Sequence, residues 1–143
     1  MTPHQQLIKH DPENGQYGDC QRTCIAVILD LHPSEVPHFC DDPTAGRDSP
    51  NWWHKRQTRW LAERGLAEAR FAYYADESLE TVLRIASKTN PHTPMILCGT
   101  SRIGVTHSVV VLDGEIVCDP SGNGIVGPPT NENWEISVIG VAA

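Results

Sequence analysis

The sequence predicts a single α+β domain in which a buried N-terminal helix packs on an antiparallel sheet. The helix is predicted by a nearly continuous apolar run that ends at Leu31. The sheet is predicted by the β-rich last third of the chain, where short apolar segments alternate with turn residues. The chain has 143 residues without repeats, low-complexity segments or linkers, so we expect residues 1–143 to form one domain.

The helices are recognised by apolar residues at helical spacing and by residues that favour helix ends. Residues 1–17 come first and are predicted to be an irregular N-terminal arm, with a short strand or extended segment at residues 6–8. Asp19 and Ser78 are expected N-caps, and Gly65 suits a left-handed C-terminal cap. In chain order, we expect α-helices at 20–31, 51–64 and 78–87, with a short helical turn within 33–39 and a loop at 40–50.

The strands are recognised by β-branched and aromatic residues between turn residues. Asp113-Gly114 is a typical hairpin connection between two of them. We expect strands at 67–74, 94–98, 106–112, 115–119 and 134–141.

Composition and charge exclude several classes of function. A net charge of -7 argues against nucleic acid as a partner, because phosphate binding needs a basic face. No apolar run approaches the length of a membrane span, and the N-terminus has no signal-peptide pattern, so we expect no membrane partner. Five cysteines at irregular spacing favour free thiols and a reducing, cytoplasmic location. Composition does not determine the oligomeric state.

Three residues form a candidate catalytic set. Cys20 lies at the start of the first helix, where unpaired backbone N–H groups and the helix dipole favour a thiolate. A cysteine nucleophile needs a base and a group that orients the base. His107 begins an otherwise apolar strand and is the expected base, while Asp119 ends the returning strand and is the expected orienting carboxylate.

Cys20 and Cys24 can also be interpreted simply as packing residues. A buried cysteine on its own is more often a small packing residue, and we interpret Cys20 as a nucleophile only because His107 and Asp119 accompany it. Cys24, one turn along the helix, is expected to pack in the core, and it is the alternative nucleophile if the helix begins later. The sequence has no paired zinc ligands such as Cys-x-x-Cys, so we expect neither metal nor cofactor.

The hairpin allows a geometric test of the candidate set. A two-residue Asp113-Gly114 loop without a bulge would put His107 and Asp119 on opposite faces of the sheet. A three-residue loop 112–114, or an equivalent bulge, would put them on the same face. We therefore predict the three-residue register or an equivalent bulge.

The order and spacing of Cys20, His107, Asp119 and the segments around them resemble those of the papain-like cysteine peptidase superfamily. The similarity is greatest to small phage and prophage papain-like proteins, and extends to bacteriocin-processing double-glycine peptidases. It covers residues 18–120. The motifs, in chain order, are Gly18-Asp19-Cys20 before an apolar helix, Val36-Pro37-His38-Phe39, Trp60-Leu61-Ala62-Glu63-Arg64-Gly65, Gly99-Thr100-Ser101, His107-Ser108-Val109-Val110 and Asp119-Pro120.

The resemblance implies a papain-like fold and a Cys-His-Asp triad made of Cys20, His107 and Asp119. It also implies an oxyanion hole that combines the Cys20 N–H with a side-chain donor, usually glutamine. The family position is occupied here by Asn14, so Gln16 is the first candidate for this donor and Gln6 the second.

The expected function is a cysteine hydrolase that cleaves a peptide, amide or isopeptide bond through a thioester, with a protein or peptide as substrate. The same triad also serves deamidation and acyl or glutaminyl transfer, including transglutaminase chemistry. A peptidoglycan amidase is a further variant. The other class is a catalytically inactive papain-like binding protein, and a phage-encoded effector is compatible with either class.

Overall fold

A computed structural model describes residues 1–142 of the chain. Within this range the fold is mixed α+β, with three α-helices and one five-stranded antiparallel sheet. In chain order, the helices and strands are α1 (Cys20–Leu29), α2 (Trp53–Ala62), β1 (Leu66–Tyr73), α3 (Leu79–Thr89), β2 (Met95–Thr100), β3 (Thr106–Leu112), β4 (Glu115–Cys118) and β5 (Trp134–Val141). Short 3-10 helices lie at Pro12–Asn14 and Pro33–Glu35.

The sheet order is β1-β5-β2-β3-β4, with antiparallel pairing throughout. β2 and β3 lie next to each other inside the sheet, and their pairing puts Gly99 opposite His107. A side chain at Gly99 would approach the Gly127 carbonyl oxygen and the Ile125 side chain to 2.7 Å. The strand beside His107 therefore has to carry glycine at this position.

Two apolar cores lie in the protein, one packed with α1 and α2 and the other with α3. The first, the α1-side core, contains Ile25, Val27 and Leu61, together with Ile96 and Val110 from the sheet. The second, the α3-side core, contains the following buried residues: Val82, Ala86, Met95, Leu97, Val109, Val111, Ile125, Trp134 and Ile136. Alternate residues of β2 and β3 belong to different cores, as the two-residue period of a strand requires.

The predicted elements are present, with shifts at their ends. α1 and α2 end two residues earlier than expected, because Asp30 adopts a left-handed conformation and α2 gives way to a turn that ends at Gly65. Ser78 is the N-cap of α3, as predicted, and its hydroxyl oxygen accepts a hydrogen bond from the Thr81 N–H. Asp19 is the N-cap residue of α1, as predicted, although its side chain makes no capping hydrogen bond. Residues 6–8 form no strand.

The hairpin between β3 and β4 differs in detail from the predicted three-residue loop. Leu112 pairs with Glu115, and Asp113 and Gly114 both have positive φ, which is the pattern of a two-residue turn. A bulge between Val110 and Val111 then shifts the register by one residue, so that Val110 pairs with Cys118. This is the equivalent bulge predicted as the alternative, and it returns His107 and Asp119 to the same face.

Candidate active site

Cys20 is the first residue of α1, where the backbone N–H groups have no partner within the helix. The residue is partly buried. Burial raises the pKa of the Cys20 thiol, and the negative charge of Asp19 adds to this effect. Hydrogen bonds from Ser108 and from the Gln21 backbone act in the opposite direction without cancelling the effect of burial. The resting group is therefore a neutral thiol at neutral pH.

His107 and Asp119 are in direct contact. The distance from His107 Nε2 to Asp119 Oδ1 is 2.7 Å, and only 4% of the His107 side chain is exposed. Ser121 Oγ lies 2.9 Å from the same nitrogen. When Nε2 carries the proton and donates it to Asp119, the lone pair is on Nδ1, and this is the tautomer that a general base requires.

Asp119 is held by the loop that follows β4. Its carboxylate accepts from the backbone N–H groups of Ser121, Gly122 and Gly124, the last at 2.7 Å. Burial alone would raise the pKa of Asp119, but the hydrogen bonds from His107 and from these backbone groups lower it overall. The carboxylate therefore stays ionised beside the imidazole.

Cys20 and His107 line one cavity of about 330 Å³, to which Gln6, Gly18, Ser101 and Ser121 also contribute. We call it the reactive cavity. Within residues 1–142, no hydrogen bond joins Cys20 to His107, and Nδ1 of His107 has no hydrogen-bond partner. The structure thus brings the His107–Asp119 pair and the cysteine to the same cavity without direct contact between Cys20 and His107.

The two candidate oxyanion donors lie in different places. Gln16, the first candidate, is exposed and does not line the reactive cavity, and its Nε2 donates to the Lys9 carbonyl. Gln6, the second candidate, lines the reactive cavity, and its Nε2 lies near Gly18. One hydrogen of this amide is donated to Ile8 O at 2.8 Å, which leaves the second hydrogen available. The geometry therefore favours Gln6 over Gln16.

The N-terminal arm is fixed on both sides of the reactive cavity. The Gln6 N–H donates to Pro120 O at 2.9 Å, next to Asp119. The fully buried Asp19 carboxylate accepts from the Ile8 N–H at 2.9 Å and from Arg22 at 2.7 Å. These contacts link the arm to α1 and to the loop after β4, so the arm is part of the site.

Sequence reasoning missed a partly buried chain of hydrogen bonds next to the candidate triad. Ser108 Oγ donates to Gln21 Oε1 at 2.8 Å, Gln21 Nε2 donates to Gln57 Oε1 at 3.0 Å, and Gln57 Nε2 donates to Glu68 Oε2 at 2.7 Å. Gln21 follows Cys20 and Ser108 follows His107, so this chain ties together the backbone positions of both residues. Glutamine has no sequence signal for such a role, because its partners are distant along the chain.

The remaining cysteines are free thiols in the described part of the chain. Cys24 is fully buried in the α1-side core, and burial raises its pKa well above the ordinary value. Cys118 lies in the same core, and its Sγ contacts the His4 carbonyl at 3.4 Å. Among residues 1–142, no group of three or more histidine, cysteine or acidic side chains is arranged to hold a metal ion.

Comparison with known proteins gives no match to any protein family, to any curated protein or to any solved structure. None of the helices within residues 1–142 has the length and apolar character needed to cross a membrane.

Proposed function

We propose that this protein is a papain-like cysteine hydrolase that cleaves an amide or peptide bond through a thioester on Cys20. The observation that carries the proposal is the short His107–Asp119 hydrogen bond on the wall of a cavity that Cys20 also lines. An oriented imidazole beside a cysteine at a helix N-terminus is the arrangement that cysteine nucleophiles require. The bound protein or peptide would lie in the reactive cavity.

In the proposed reaction, Cys20 Sγ attacks the carbonyl carbon while its proton passes to Nδ1 of His107. The oxygen that becomes negative is stabilised by the Cys20 N–H and by the free hydrogen of Gln6 Nε2. His107 then gives the proton to the leaving amine as the C–N bond breaks. Water, deprotonated by His107, hydrolyses the thioester, which releases the acid and restores the thiol.

The raised pKa of Cys20 sets one condition on this mechanism. Because burial keeps the thiol neutral, His107 has to remove the proton during the attack rather than share a pre-formed ion pair. This step requires His107 to approach Cys20 when substrate is bound. Catalytic hydrogen bonds are often long in ligand-free enzymes and tighten in the complex.

The raised pKa of Cys20 also favours a second candidate, a non-catalytic papain-like binding protein. A partly buried thiol with a raised pKa and no hydrogen bond to His107 would serve such a protein equally well. In that case the reactive cavity would hold a peptide without cleaving it.

An acyl probe directed at thiols separates the two candidates. At about pH 7 a hydrolase should acylate at Cys20, and His107→Ala should slow acylation by about 100-fold or more, because general-base catalysis contributes at least this much. Cys20→Ala should abolish the labelling, which is located by mass spectrometry of the digested protein. Cys24→Ala is the matched control and should be labelled like the wild type.

The binding-protein candidate predicts different behaviour. Labelling of Cys20 would then appear only above the ordinary cysteine range, about pH 8.5, and would not depend on His107. Labelling that persists in Cys20→Ala and disappears in Cys24→Ala would contradict the assignment of the nucleophile.

A further inference from the structure

The reactive cavity shares lining residues with two further cavities. Cys20 and Thr106 also line a cavity of about 420 Å³ whose other walls include Tyr17, Pro43 and Trp53. We call this the apolar cavity. It shares Trp52, Trp53 and Cys98 with a third cavity of about 460 Å³, which contains Glu68, Arg70 and Glu135 and which we call the charged cavity. The apolar cavity therefore lies next to both of the others, and its two tryptophans separate the thiol from the charged cavity.

The charged end contains an acceptor and a donor without partners. The Glu68 side chain is 5% exposed, and its Oε2 accepts from Gln57 at 2.7 Å and lies 3.4 Å from Arg70 Nη2. Its Oε1 is buried without a partner in the described residues. Arg70 Nη1 donates to Glu135 at 2.8 Å, while Arg70 Nε is likewise buried and unpartnered. Buried polar groups without a partner are unfavourable, so a ligand that pairs them gains affinity.

The charges of this cavity favour a neutral ligand group. Arg70 lies between Glu68 and Glu135, and it is within cation–π distance of Trp53, at 5.1 Å. The lining carries charges of both signs, with Arg47 and Arg70 against Glu68, Glu132 and Glu135. An ammonium group would therefore meet an arginine, and a carboxylate would meet a glutamate. A carboxamide avoids both conflicts, since its NH₂ donates to a carboxylate and its oxygen accepts from a guanidinium N–H. An aliphatic stem suits the tryptophan-lined path that leads there.

We propose that the charged cavity is a substrate subsite for a carboxamide side chain, that of glutamine, with Glu68 accepting from its NH₂ group and Arg70 donating to its oxygen. This inference rests on the proposed function, because it assigns a substrate residue to the cleft that contains Cys20. Glu68 is also the end of the hydrogen-bond chain through Gln57 and Gln21 to Ser108. That chain holds the subsite in a fixed position relative to Cys20 and His107.

The test uses peptide vinyl sulfones, which report recognition as the rate of covalent reaction with Cys20. Each position of an alanine tripeptide is varied in turn. The varied position carries glutamine, glutamate, lysine or norleucine, and the other two positions stay alanine. At one position the glutamine peptide should react about tenfold faster than the other three, the ratio that about 1.4 kcal/mol of selective binding produces. Glu68→Gln and Arg70→Met should each reduce this ratio toward one, while the exposed Glu63→Gln should leave it unchanged.

The outcomes separate this inference from the proposed function. Reaction at Cys20 without preference for glutamine, or with preference for lysine or glutamate, would overturn the carboxamide subsite and leave the hydrolase intact. Failure of every peptide to react, while iodoacetamide still alkylates Cys20, would overturn both. Thermal unfolding of Glu68→Gln and Arg70→Met shows whether each variant is folded. The ratio within one variant does not depend on how much of it is active, so a partly unfolded variant still gives a valid result.

Discussion

Asp119 combines two roles at the scale of a single residue. It orients the His107 ring through Nε2, and it fixes the loop after β4 through three backbone N–H groups. Both roles need the ionised carboxylate, which agrees with the lowered pKa of Asp119. The residue that orients the candidate base therefore also contributes to the stability of the fold.

The replacement Asp119→Asn should weaken the pH dependence of stability in acid. The pKa of Asp119 in the folded state lies below its unfolded value of about 3.9. Its contribution is therefore complete above that pH and is lost as the pH falls through the folded pKa. Urea unfolding at about pH 7 and about pH 3 should show a smaller loss of stability for Asp119→Asn than for the wild type.

The control for this comparison is Asp76→Asn, because Asp76 is exposed and its carboxylate accepts no hydrogen bond within residues 1–142. It should lose as much stability in acid as the wild type does. Equal acid sensitivity in Asp119→Asn would mean that the hydrogen bonds to His107 and to the loop do not favour the charged form.

At the scale of elements, the local pattern predicted most of the helices and strands but not what surrounds the site. α1, β3 and β5 follow from apolar spacing and turn residues within one segment. The bulge in the hairpin was foreseen only as an alternative to a longer loop, because a strand can restore its register in either way. The sequence thus predicted that His107 and Asp119 lie on the same face of the sheet, but not the turn that achieves it.

The position of Gln6 is the clearest case that local pattern could not predict. Gln16 is closer to Cys20 along the chain, yet the turn at Pro12–Asn14 folds the arm back and directs Gln16 outward. Gln6 reaches the cavity because Asp19 and Pro120, at two distant points of the chain, hold the arm. Only the tertiary structure contains these contacts.

The replacement Asp19→Asn should loosen the N-terminal arm. It removes the buried charge that pairs with Arg22 and weakens the acceptor for the Ile8 N–H. We expect a loss of about 1–3 kcal/mol in the free energy of unfolding, the usual cost of a buried polar group that loses its partner. Trypsin should also cleave faster after the exposed Lys9 in the folded variant, as followed by mass spectrometry.

The matched control is Asp48→Asn in the exposed loop at 40–50, which should change neither quantity. A destabilised Asp19→Asn protein with wild-type cleavage after Lys9 would show that Asp19 stabilises α1 without tethering the arm.

At the scale of the whole molecule, the two apolar cores lie on opposite faces of the sheet, and the helix that carries Cys20 packs on only one of them. The α1-side core supports the helix that presents Cys20, whereas α3 and the second core lie across β2 and β3 from it. Ile25 and Leu97 are both fully buried, and they belong to different cores. This division predicts that equal losses of stability on the two sides will affect the cysteine differently.

The pair Ile25→Ala and Leu97→Ala tests this division. Each removes a large side chain from a packed core, and each should cost about 2–5 kcal/mol in urea unfolding. Under conditions where both variants are folded, Ile25→Ala should change the rate at which iodoacetamide alkylates Cys20, because α1 shifts toward the cavity left behind. Leu97→Ala should leave that rate at the wild-type value, since the sheet separates Leu97 from α1. Equal changes in the two variants would mean that the sheet transmits packing defects from one face to the other, and that the α3-side core also determines the position of the thiol.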